Sequence, residues 1–137
     1  MQTTGFLSPE SEDDVASLFD VLGPTAQVLV RETAKAMEFD QEEYDERVTS
    51  DVVVTARDAL FASLLEVQVG TREEFEEWTA EFDGEVVESG SENVDNVAWH
   101  VAEFADKAVA ATFQGEEQAA VATLRRQAFG RIYRDLL

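Results

Sequence analysis

The stretch NVAWHVAEFADKAVAATFQ, Asn96–Gln114, decides the fold, because it carries two periodicities at once. Alternation places Val97, Trp99 and Val101 on one side of an extended chain, and Val109, Ala111 and Phe113 repeat the pattern after a loop. The same letters also fit a helix, since Val97, Val101, Phe104 and Ala108 follow three- and four-residue spacing. β-Branched and aromatic residues alternate cleanly through both halves, which favours a pleated, half-buried surface. EVVES, Glu85–Ser89, follows the turn signal Asp83-Gly84 and supplies a third short strand. The expected result is a small antiparallel β-meander over about residues 85–114. Were residues 95–113 helical instead, the chain would be an all-α bundle.

Toward the N-terminus the pattern is helical. Ser11, followed by Glu12, Asp13 and Asp14, is an N-cap with acid in the first turn, and the run Val15, Leu18, Phe19, Leu22 stops at Gly23-Pro24. Pro24 suits the first turn of a second helix whose stripe is Ala26, Leu29, Val30, Thr33 and Met37. Asp40 with Glu43 opens a short acidic helix, and Ser50 caps DVVVTARDALFASLLEV, the most apolar segment and the expected central helix. Thr71 with Glu74 has the capping-box spacing at the head of TREEFEEWTAEF. Gly115, Glu116 and Glu117 begin a final helix that reaches the C-terminus. The fold class expected is α+β: a helical N-terminal half, the meander, and a long C-terminal helix packed across both. Residues 1–137 are read as one domain, with 1–10 as a flexible tail.

Thirty acidic residues stand against ten basic ones, for a formal net charge of −20, and only Lys35 and Lys107 are lysines. With 45% of residues apolar and periodic, this charge does not signal disorder. It predicts a folded chain that repels itself in dilute buffer and is relieved as the Debye length falls from roughly 10 Å at 0.1 M salt to 3 Å at 1 M. A protein adapted to concentrated cytoplasmic salt is expected. The absence of cysteine excludes thiolate catalysis and zinc–thiolate sites. The first residues show neither a basic n-region nor an apolar h-region, and apolar runs fall short of the roughly 18 residues of a membrane span, so a cytoplasmic chain with no membrane association is expected.

Catalytic patterns are scarce. His100 is the only histidine, and there is no P-loop, G-x-S-x-G or G-x-G-x-x-G. No catalytic residue, metal or cofactor is therefore named. The acidic clusters at Glu42–Glu46 and Glu73–Glu77 lie opposite apolar helix faces and lack EF-hand spacing, as a solvated surface would. The arginines discriminate better. On a wheel of about 100° per residue, Arg125 falls at about 40° from Val121, inside an apolar arc with Ala128, Phe129, Ile132 and Leu136. Arg126 sits at the margin near 140°, while Arg131 and Arg134, at about 280° and 220°, point outward. Arg57 has the same inward placement among Leu60, Phe61 and Leu64.

A guanidinium in an apolar stripe needs a partner. Asp58 and Glu32 are candidates for a structural ion-pair network. Alternatively Arg57 and Arg125 flank a pocket for a carboxylate or phosphate, with His100 and Tyr133 lining it. His100, alternating with Trp99, reads otherwise as a structural histidine. Direct nucleic-acid binding is not expected, because a phosphate backbone would meet the acidic field of the rest of the chain.

The segments LGPTAQVLVRETAKAMEFDQEEYDERV, TARDALFASLL, NVAWH, AATFQ and VATLRRQAFGRIYRDLL together resemble a family of short acidic haloarchaeal proteins with no assigned function. The resemblance runs from about Val21 to the C-terminus, implies a halophilic cytoplasmic source, and brings no catalytic residues with it. Two functions follow as expectations. The first is a non-enzymatic interaction or accessory protein, as a homodimer through apolar helix surface or with a protein partner. The second is a small anionic-ligand binder or enzyme with an arginine-lined pocket.

Overall fold

The computed structural model describes residues 1–137. Strand β1 (Gln2–Thr4) is followed by helices α1 (Glu12–Val21), α2 (Gly23–Ala36), α3 (Gln41–Arg47) and α4 (Ser50–Ser63). Then come β2 (Val67–Thr71), α5 (Arg72–Glu81), β3 (Glu85–Ser89), β4 (Asn96–Ala102), β5 (Lys107–Phe113) and α6 (Glu117–Ala128). The chain stays helical past α6, through a wide π-type turn at Phe129–Tyr133 and a tighter one at Arg134–Leu136. The class is α+β, and Asn96–Phe113 forms the two strands that the alternation favours.

The sheet is larger than a meander and differently ordered. Its five strands run β1-β2-β4-β5-β3, and β3 lies parallel to β5 while the other pairs are antiparallel. The physical reason is burial. Strand β4 is buried at five of its seven positions, and the Ala108–Ala110 stretch of β5 is buried on both faces, so these two take the centre. EVVES carries exposed Glu85 and Glu88 and belongs at an edge, where charge blocks further pairing. The chain therefore crosses from β3 over the end of β5 to reach β4, then returns into the gap. Gly90, at φ 100°, makes that crossing possible, because a Cβ there would overlap the Thr112 hydroxyl. The same hydroxyl accepts a 3.0 Å hydrogen bond from the Ser91 N–H.

Two further strands join. The apolar run expected to continue helical to Val67 stops at Ser63, and Val67 and Val69 point into the core from β2. The segment 1–10, read as a tail, contributes β1, paired with Val67–Val69. Helix starts follow local chemistry more closely. Ser11 accepts from the Asp14 N–H, and Thr71 and Glu74 form a reciprocal capping box at 3.1 and 3.0 Å. Thr49, one residue before the expected Ser50, caps α4.

The sheet is covered on both faces. Helices α1, α4 and α6 enclose the main core, where the Phe61 ring meets Phe19, Phe129 and Tyr133 edge-on at 6.0, 5.8 and 5.3 Å. Helix α5 covers the other face, packing Phe75 and Trp78 over Val97, Trp99 and Ala110. Helix α2 buries only Ala26, Val30 and Ala34. Leu29 and Met37, expected in its buried stripe, are 45% and 60% exposed.

Candidate functional site

The groove between α4 and α6 opens into a cleft of about 360 Å³. Its floor is made by Ala59 and Ala62 of α4 with Ala122 of α6 and Phe129 at the start of the π-type turn, all short or flat side chains. Arg125, Arg126 and Arg134 line the same cleft, with Asp58 as its one acidic residue. None of the three arginines forms an ion pair within 4 Å.

Arg125 answers for its own burial with a backbone partner. Its Nε donates at 2.8 Å to the Leu65 carbonyl, just past the C-terminus of α4, where a cation complements the helix dipole. Its terminal nitrogens have no protein acceptor. Burial pushes the Arg125 pKa down, so a countercharge in the cleft would restore what desolvation removes. The Arg134 guanidinium lies 5.5 Å from the centroid of the Phe129 ring. A uniform α-helical wheel points Arg134 outward. The π-type turn at Phe129–Tyr133 advances less than 100° per residue, and that lag brings Arg134 back toward the side of Arg126.

Asp58 sits among these charges with its pKa raised. Burial dominates, and the positive charges of Arg134 and then Arg57 oppose it. Three positive charges and one negative leave a net positive cleft on a chain of charge −20. A second hollow of about 550 Å³ is bordered by Glu10, Glu66 and Glu103, and its carboxylates would repel an anion.

One protein-family model matches residues 6–134 of the chain. The chain belongs to DUF5809, a family of unknown function. No curated protein and no solved structure matches it. The DUF5809 match includes Asp58 and all three cleft arginines, and leaves out β1.

The remaining residues singled out in the sequence are placed elsewhere. Arg57 ties α4 to α1: its Nε donates to the Phe19 carbonyl at 2.8 Å, a terminal nitrogen reaches Asp20 at 3.4 Å, and the guanidinium lies 4.3 Å from the Phe19 ring centroid. Asp20, not Asp58 or Glu32, is its ion-pair partner, and Arg57 does not line the cleft that holds Arg125. His100 and Tyr133 are 1% and 0% exposed, and they contact each other beneath the sheet.

Their hydrogen bonds define a tautomer. The Glu66 carbonyl can only accept, so His100 Nδ1–H donates to it at 2.5 Å. Nε2 is then a bare acceptor for the Tyr133 hydroxyl, also at 2.5 Å. Burial lowers the His100 pKa against the opposing Glu66 bond, and the Arg125 charge adds to the lowering. Burial likewise raises that of Tyr133. Both groups are thus neutral at pH 7, joined in a structural chain from the Glu66 carbonyl to the Tyr133 hydroxyl.

Proposed function

We propose that this chain is a non-enzymatic binding protein of a salt-rich cytoplasm, and that it captures a small anion in the α4–α6 cleft. The observation that carries this reading is the convergence of Arg125, Arg126 and Arg134 on one cleft without an ion-pair partner. Among thirty carboxylates, three unpaired guanidinia facing a common space favour a ligand that brings its own charge. Catalysis finds no support beside them, since the only histidine is buried and fully engaged. A long polyanion is disfavoured by the surrounding negative field.

Titration calorimetry with inorganic phosphate and with butyrate, at constant ionic strength, tests the reading. Saturable binding is expected, weakened about tenfold or more by Arg125→Met, as loss of a charged hydrogen bond implies. No saturable binding of either anion, or an unchanged affinity in the variant, refutes it. Salt adaptation has a separate test: the melting temperature should climb as KCl is raised from 0.1 to 3 M, and a flat profile refutes it.

A second reading, self-association through α2, is favoured by Val28, Leu29 and Met37, which are 49%, 45% and 60% exposed. Sedimentation in concentrated KCl should then give a dimer that Leu29→Glu dissociates. A monomer at all accessible concentrations would exclude it.

A further inference from the structure

The cleft is built for more than a charge. Its guanidinia stand beside a floor of Ala59, Ala62, Ala122 and the Phe129 ring, where two helices face each other with side chains too short to fill the groove. We infer that the ligand is amphipathic: a small acid with one carboxylate or phosphate group on an apolar body, an acyl chain or a single ring, laid along the α4–α6 groove. This rests on the anion-binding reading above and names the class of anion.

Three features point the same way. A bare inorganic anion would use the arginines and leave the alanine floor wet, whereas an apolar body of a few carbons removes that floor from water. The width is set by small side chains: α4 presents Thr55, Ala59, Ala62 and Ser63 along the cleft, on one side of the helix. In concentrated salt, moreover, a purely electrostatic site is screened over about 3 Å and competes with every other anion in solution. Apolar contact is not weakened by salt in this way, so it can supply selectivity where charge alone cannot.

The test is a chain-length series on the intact protein: acetate, butyrate, hexanoate and octanoate, with inorganic phosphate as the headgroup-only probe, all by calorimetry in one buffer of fixed KCl. Each added methylene should tighten binding roughly three- to fourfold until the groove is full. Ala59→Phe and, independently, Ala122→Phe fill the floor from exposed positions. Either should abolish the chain-length increment, so that octanoate binds no tighter than acetate. Acetate, octanoate and phosphate binding equally well would overturn the amphipathic ligand and leave the anion cleft standing. Failure of every probe to bind would overturn the cleft itself, so the two failures are distinct. A chain-length increment that survives both phenylalanine variants would place the apolar contact elsewhere and also overturn the inference.

Discussion

Acidifying the protein from pH 7.5 to 5.5 should destabilise it through His100, and replacing that residue with glutamine should remove most of the effect. The imidazole is 1% exposed, donates through Nδ1 to Glu66 and accepts at Nε2 from Tyr133, so protonating Nε2 would reverse the second bond, leave the Tyr133 O–H without an acceptor and strand a charge in the core. Its pKa is therefore lowered on folding, whereas the unfolded chain takes up the proton near the ordinary value of 6.5. A depressed histidine contributes stability that is present above the unfolded pKa and lost as pH falls toward the folded one. The lowered pKa keeps the folded imidazole short of protons that the unfolded chain takes up, so the loss between pH 7.5 and 5.5 reaches at most about 1.4 kcal/mol, one proton's worth across a window centred on 6.5.

The measurement is urea unfolding at several pH values in constant high KCl, followed by fluorescence of Trp78 and Trp99. His100→Gln keeps one donor and one acceptor and cannot titrate, so its pH dependence should be shallower than that of the wild type by up to about 1.4 kcal/mol over this range. Parallel curves for the two proteins would refute the assignment of a neutral, doubly bonded imidazole. Tyr133→Phe supplies an internal check. It should cost about 1 kcal/mol at pH 7.5 and make the pH dependence shallower, because the neutral imidazole loses the hydroxyl that favours it.

Asp58→Asn should tighten phosphate binding in the α4–α6 cleft about fivefold, on the order of 1 kcal/mol of relieved repulsion, and unchanged calorimetric affinity would count against Asp58 sharing the site. Phe61→Ala empties the centre of the aromatic cluster with Phe19, Phe129 and Tyr133 and should cost about 3–5 kcal/mol in urea unfolding. A loss under about 1.5 kcal/mol would mean that the core collapses onto the gap. Thr71→Ala removes one half of the α5 capping box and should lower stability by about 1 kcal/mol, with Glu74→Gln largely preserving it.

Features set by near neighbours in the chain were legible from the letters. Ser11, Asp40 and Thr71 cap helices because the partner N–H is three residues away, and the Asn96–Phe113 alternation resolves into strands because its β-branched and aromatic residues suit a pleat. The inward turn of Arg125 was legible for the same reason, as one residue's position on one helix. Strand β2 was not. Its Val67–Thr71 run is short, follows directly on an apolar helix, and becomes a strand by pairing with residues about thirty positions ahead and with Gln2–Thr4 behind. The placement of β5 between β3 and β4 likewise depends on which strands the two helical layers bury.

The cleft shows the same division most sharply. Composition and helical period determined that this is an acidic α+β chain with Arg125 turned inward. Only the tertiary structure decided its company. A π-type turn over Phe129–Tyr133 rotates Arg134 onto the same side, Leu65 rather than a carboxylate receives the Arg125 Nε, and Arg57 is drawn off to Phe19 and Asp20. Each of these outcomes is a competition for a guanidinium among groups scattered over more than a hundred residues. A local pattern can state the need for a partner, and packing alone selects which one is within 3 Å.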